Sequence, residues 1–325
     1  MKHVFTCLLF AMFIFGGSVV MAGENTLWFT SGAGAMSGTV NIAEAKGFFL
    51  EKGIDGKVKR FSKGQIGFEN YLSGQSDFSI CNVISIVMTD FDMSAHRIIG
   101  TLSYTDTQTK VLARKSSGIK TPADLKGKKI ATVRATTAHF YIDKFLELNN
   151  VPRNEVDIVF MKKKQLPDAI ASGEVDALCQ HGMPIENAKK ALKNDWVMFK
   201  DGSIYGKAVF ITAPKAWLSK HPAQAKGILK AILKADRFVR TDTDESIRII
   251  AKAKGYTVEA MREAVRDEIV YDLSLNQALY DSLKDMEQWA VQNNLVKRKT
   301  PRNYLKFIDY SPLDAVQPDK VTIIR

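Results

Sequence analysis

Three cysteines and five histidines in 325 residues leave little material for thiol or imidazole chemistry. One of each, Cys7 and His3, falls in an apolar leader, and no CxxC pair, HExxH, GxSxG or Walker-type phosphate loop occurs. These absences remove the zinc-protease, α/β-hydrolase and P-loop classes. A cysteine nucleophile is conceivable with Cys81 or Cys179 near His181, but no third group stands ready to orient the base. Metal ligation lacks a ligand cluster, and no cofactor is expected. After Gly23 there is no apolar run of spanning length and no low-complexity linker. Acidic residues are also in deficit, 35 against 46 basic ones, a formal charge of +11. The basic residues are scattered, with clusters only at KKK 162–164 and KRK 297–299, which read as solvated faces. Nucleic acid is therefore not an expected partner, whereas a general positive field favours collecting a small anion.

What is present begins with an export signal. Lys2 and His3 form a positive start, VFTCLLFAMFIF an apolar stretch, and VMA a small-residue cleavage site, placing the cut after Ala22. Residues 1–22 are thus a signal peptide, and the remaining chain, at a formal charge of +10, is expected in the periplasm. Its length suits about two domains.

An internal echo organises the mature chain. YLSGQSDFSIC (71–81) returns as AIASGEVDALC (169–179), with Ser73, Gly74 and Asp77 matching Ser172, Gly173 and Asp176 at a common spacing of 99 residues. Phe61 and Lys63 match Phe160 and Lys162 at the same spacing. Two α/β units built alike are expected to face each other. A disulfide between Cys81 and Cys179 would fasten the units together, and units that move need both thiols free.

Read in order, TLWFTS (26–31) is a strand, GAGAMSG (32–38) a glycine-rich loop, and residues 39–53 a helix stopped by Gly53. The loop departs from the dinucleotide fingerprint, and it is either a flexible turn or a place where backbone approaches a ligand. Strands and helices then alternate, which implies sheets covered on both faces, with ligands beyond the carboxyl ends of the strands. The loops to watch are 32–38, 62–65 and 81–83. RATTAH (134–139) opens a helix whose Thr136 and Thr137 are preferred caps; it is either an ordinary capped helix or an anion site. Gln180 and His181 follow the second echo as Asn82 follows the first. KAVFITA (207–213) is a strand able to return the chain to the first unit, and 214–294 reads as helical almost throughout.

Together GFFLEKGI (47–54), YLSGQSDFSI (71–80), IKTPADLKGKKIATV (119–133), AIASGEVDAL (169–178) and SKHPAQAKGILKAILKA (219–235) resemble the nitrate/sulfonate/taurine class of periplasmic substrate-binding proteins of ABC importers. That class also includes binders of thiamine-pyrimidine precursors. The resemblance implies an α/β, two-lobed periplasmic-binding-protein fold of type II, each lobe a mainly parallel sheet flanked by helices, with the ligand cleft between. It divides the chain into lobe 1 (23–107), lobe 2 (108–212) and a return to lobe 1 with C-terminal helices (213–325). The implied cleft residues are Gly34, Ala35, Met36, Ser37, Gln65, Asn82 and Thr105 from the first unit. Arg134, Thr136, Thr137, His139, Gln180 and His181 come from the second. The implied function is capture of a small anionic or heteroaromatic solute by hinge closure and delivery to an ABC permease with its ATPase, by a monomer without catalytic residues. An enzyme on the same fold, of pyrimidine-synthase or desulfinase type, and a ligand-sensing module for a membrane receptor are the alternatives.

Overall fold

The computed structural model describes residues 26–204, 207–265 and 269–324. The expected signal peptide and its cleavage after Ala22 lie outside these residues.

The first lobe opens with strand β1 (Leu27–Ser31), helix α1 (Gly38–Ala45), β2 (Gly56–Arg60), α2 (Gly64–Leu72), β3 (Phe78–Asn82), α3 (Val83–Met88) and β4 (His96–Thr105). Its core is fixed by aromatic residues: Phe29 on β1 stacks between Phe49, in the turn after α1, and Phe78 on β3 at centroid distances of 4.9 and 4.8 Å. Such contacts contribute about 0.5–1.5 kcal/mol each beyond the burial of area.

The chain then builds a second lobe from β5 (Lys110–Arg114), β6 (Lys129–Thr132), α4 (Thr137–Leu148), β7 (Asp157–Phe160), α5 (Leu166–Ser172), β8 (Ala177–Gln180), α6 (Met183–Leu192) and β9 (Trp196–Phe199). Period-two alternation divides this lobe into two cores, one on each face of the sheet. Val111, Ala113, Ile130, Ala177 and Cys179 point to the face covered by α4, with Tyr141, Ile142 and Phe145. Leu112, Ala131 and Leu178 point to the face covered by α5 and α6, with Leu166, Ile170 and Ile185.

With β10 (Lys207–Pro214) the chain re-enters the first sheet, followed by α7 (Lys215–Lys220), α8 (Pro222–Thr241), α9 (Thr243–Lys254), α10 (Val258–Val265), β11 (Val270–Ser274), α11 (Gln277–Gln292) and the short α12 (Ser311–Asp314). Helix α8 starts at a proline, whose missing N–H costs nothing in the first turn, and buries Ala225, Ile228, Leu229 and Ile232 at helical spacing.

The sheet orders are β11-β4-β10-β3-β1-β2 and β7-β6-β8-β5-β9. Strand β10 lies antiparallel to both β3 and β4, so β1 to β4 run one way and β10 and β11 the other. In the second sheet only β5 opposes the rest. The expected α/β architecture of two mostly parallel sheets is therefore present. Two details differ from the sequence reading. The lobe boundary at 212 moves to the crossover before Lys207, because all of β10 is bonded into the first sheet. The stretch 214–294 is interrupted by β11, whose alternation buries Tyr271 and Leu273 against β4.

The repeated motif proves to be the same joint made twice. Ser73 and Ser172 each turn their hydroxyl onto the carbonyl three residues back, Asn70 at 2.8 Å and Ala169 at 3.1 Å. Gly74 and Gly173 follow with φ of 77° and 82°, the left-handed conformation that ends a helix. The carboxylates of Asp77 and Asp176 then accept from the backbone N–H of Trp28 at 2.7 Å and of Lys129 at 3.0 Å. Each aspartate fastens its strand to the parallel neighbour, β3 to β1 and β8 to β6. Cys81 and Cys179 are both free and buried, one in each of these strands.

Candidate functional site between two strand edges

Thr105, the last residue of β4, pairs with Lys207, the first of β10, while Val209 lies opposite Asn82 at the end of β3. The carboxyl ends of β1 to β4 therefore share an edge with the start of β10. In the second sheet Lys110, the first residue of β5, pairs with Gln180, the last of β8. That edge also carries the ends of β6 and β7. Only residues 106–109 separate Thr105 from Lys110. The two carboxyl edges thus meet at this crossover and at the return crossover before Lys207, the position where ligands bind in open α/β sheets.

On the first edge the glycine-rich loop folds inward. Gly34 is exposed, but Ala35, Met36 and Ser37 are buried. The hydroxyl of Ser37 meets that of Ser31 at 2.8 Å, and both are bonded to a residue the sequence reading passed over, Lys254. From the end of α9 its ammonium also donates to the Gly32 carbonyl at 2.7 Å. Burial, with Arg60 adding repulsion, brings the Lys254 pKa down to about 7. This lysine holds the loop from below and occupies the hydroxyls expected to face a ligand. In sequence it reads as the basic last turn of a helix, AKAKG, and gives no sign of reaching 217 residues back to Ser37. Gln65 is exposed on the first turn of α2, bonded to Glu69 at 3.1 Å. Asn82 caps α3, accepting from Ser85 N–H at 3.2 Å and from its hydroxyl at 2.7 Å. Thr105 is buried and accepts from Thr107 N–H at 3.4 Å.

On the second edge the start of α4 is open. Thr136 occupies the cap position, yet its hydroxyl donates backwards to the Val133 carbonyl at 2.7 Å and caps no helix amide. Ala135 before it has φ of 57°, an unfavourable region for a residue with Cβ, and its N–H donates to His139 Nδ1 at 3.3 Å. Arg134 is exposed and lies over the Phe160 ring, 5.4 Å from its centroid. Thr137 is buried in the first turn of the helix. His139 is committed elsewhere: its Nε2 stands 3.5 Å from the Asp143 carboxylate and its ring packs edge-on against Trp289 of α11 at 5.0 Å. Burial lowers its pKa against the opposing pull of Asp143. Trp289 also donates to Asp143 at 2.7 Å and packs against Phe140, so the lobes touch here as well as at the crossovers. A cavity of about 700 Å³ beside this contact, lined by residues such as Asp143, Arg153 and Asp285, includes none of the expected site residues.

Three cationic or cationizable side chains converge where the second edge meets the return crossover. Sheet order puts β6 between β7 and β8, so the start of α4 is flanked by Lys163, just beyond β7, and His181, just beyond β8. Lys207 stands at the head of β10. The ammonium groups of Lys207 and, less strongly, Lys163 combine with burial to hold the His181 imidazole well below its ordinary pKa. Burial, and then Lys163, brings Lys207 down to about 8. Lys163 is itself lowered by its surroundings. His181 Nδ1 is buried without a hydrogen-bond partner, and Gln180 beside it accepts from the His181 N–H at 3.1 Å. Lys207 reaches Gln108 at 3.5 Å, and among the described residues no carboxylate pairs with any of the three. Sequence reasoning found His181 but set Lys163 aside as part of a solvated run. The position of the Phe160 and Lys162 echo was the available signal that this run ends a strand at the cleft.

Burial pushes the Cys81 thiol up to about 12 and the Cys179 thiol well above its ordinary value, so neither presents a thiolate. Among the described residues no group of three or more His, Cys, Asp or Glu side chains is placed to hold a metal ion. No described helix is long and apolar enough to cross a membrane.

The profile of the family described as NMT1/THI5 like matches residues 37–246, which run from the end of the glycine-rich loop into α9 and include the two crossovers. The chain belongs to this family. A relative from Escherichia coli (strain K12), named for binding aliphatic sulfonates, is 25% identical over 150 residues. That match covers 45% of this chain and 45% of the relative, so it spans under half the relative's length. Among solved structures, the periplasmic aliphatic sulphonate binding protein of Escherichia coli superposes with a TM-score of 0.73 at 19% identity, over 88% of this chain and 92% of that one. A desulfurization enzyme superposes with a TM-score of 0.64 at 16% identity, over 91% and 99%. The chain thus shares its fold with proteins of both kinds.

Proposed function

We propose that the protein is a periplasmic solute-binding component of an ABC importer. It captures a small anion between its lobes by hinge closure and delivers it to a permease driven by its ATPase. The observation that carries this reading is the meeting of the two carboxyl edges at paired crossovers, with Lys163, His181 and Lys207 gathered there and, among the described residues, no carboxylate paired with them. The solute lies against the open start of α4, with Arg134, Thr136 and Thr137 on one side and Gly34, Gln65, Asn82 and Thr105 across the cleft. The names of the sulfonate-binding relatives support the anion, and the buried, protonated thiols argue against an enzyme of the cysteine-nucleophile kind.

The test is native mass spectrometry of the purified protein, followed by thermal-shift screening of sulfonates, nitrate, carboxylates and pyrimidines. One solute bound per chain and recovered unchanged is the expected result. Steady product formation from a bound compound would overturn it.

A further inference from the structure

The cation cluster constrains the charge of the solute more closely than the fold does. The inference rests on the solute-binding reading above. Lys163 approaches from the β7 side of α4 and His181 from the β8 side, and Lys207 comes from the first sheet, so the three belong to separate elements. The sheets deliver them to one place independently of any local helix pattern. A cluster of like charges without an acid raises the free energy of the empty protein, and an incoming anion relieves it. The two lysines supply two positive charges, with Arg134 outside the group and exposed over the Phe160 ring, while His181, held neutral by the lysines, offers a buried ring nitrogen without a partner among the described residues. A single negative charge neutralises one lysine and leaves the other unopposed. A tetrahedral group with two charges balances both and has oxygens left for the imidazole and the first amides of α4, whose own cap residue has turned away.

We propose that the cleft is built for a solute bearing a doubly charged phosphoryl or phosphonyl group, held by Lys163, Lys207 and His181, in preference to a singly charged sulfonate. Aspartate or glutamate beside the lysines would have neutralised one of them and matched the site to a monoanion. Among the described residues no carboxylate pairs with Lys163 or Lys207.

Isosteric esters separate the two cases: ethyl phosphate is a dianion at about pH 7.5, its second proton leaving near pH 6, whereas ethyl sulfate stays a monoanion. Calorimetric titration of the full mature chain at low salt is expected to give a Kd for ethyl phosphate at least about tenfold below that for ethyl sulfate. Lys207→Met is expected to bring the two values within about threefold of each other, and Lys163→Gln, at an exposed position where folding is safe, to remove part of the preference. Equal affinity for the two esters, a preference for ethyl sulfate, or a preference untouched by both substitutions would overturn the proposal. If neither ester binds while native mass spectrometry shows an uncharged solute on the protein, the dianion assignment fails and the solute-binding reading stands. If no solute of any charge binds, both fail.

Discussion

Asp236 shows how a single buried group sets a pH dependence. The residue is 2% exposed on α8, and its Oδ2 accepts from the Leu273 N–H at 2.7 Å, which ties the helix to β11. Its Oδ1 has no partner. Burial, with the Asp272 carboxylate adding to it, outweighs that hydrogen bond and the nearby Arg240 and Lys320, raising its pKa from 3.8 to about 7. The native state therefore keeps a proton that the unfolded chain has already released. The associated stability is present in full below the ordinary carboxylate pKa and is lost as the pH rises toward 7. Asp236→Asn keeps an acceptor for Leu273 and removes the charge, so it should raise the melting temperature by about 3 °C or more at about pH 8 and leave it nearly unchanged at about pH 4. An equal effect at both values would show that the carboxyl is not protonated in the native protein. The sequence disclosed little at this scale. Asn82, Gln180 and His181 were legible because they follow the repeated strands. Lys163, Lys207 and Lys254 were not, because a lysine in a charged run reads as solvated until the sheets that carry it are assembled.

The repeat is the best test at the scale of the elements. Asp77 and Asp176 bond to the strand next door through both the side chain and the main chain, each also sending its own N–H to the Trp28 or Lys129 carbonyl at 2.9 Å. Asp77→Ala and Asp176→Ala should each cost about 1–3 kcal/mol, the usual range for a hydrogen bond to a charged group. The losses should add in the double variant, since the joints lie in separate lobes. Strong non-additivity in denaturant unfolding would mean that the lobes do not behave as separate units. Most elements were legible from period and punctuation, including the two turns that follow the Ser-Gly pairs. Strand β11 was not, because VYDLS sits between strong helical stripes and its partner β4 is 168 residues earlier at the Tyr271–Ser103 register, beyond what a local pattern can register. The mixed direction of the sheets was hidden for a similar reason, since β10 and β5 are reversed by crossovers between lobes and not by hairpin turns.

Across the whole molecule, two crossovers and the α4–α11 contact join the lobes. Phe140 is buried in the core of the first lobe although its helix belongs to the second, and the Trp289 indole bonds across to Asp143. This arrangement suits a hinge in which closure brings Asn82, Thr105 and Gln65 toward the start of α4. The two facing units were legible as soon as the repeat was recognised, but their orientation came only from the pairing of Thr105 with Lys207 and of Lys110 with Gln180. The most direct measurement is small-angle scattering of the mature chain with and without a saturating amount of the solute identified by screening. Capture between the lobes predicts a smaller radius of gyration with solute bound and a return to the free value once it is dialysed away; an unchanged radius at full occupancy would contradict it.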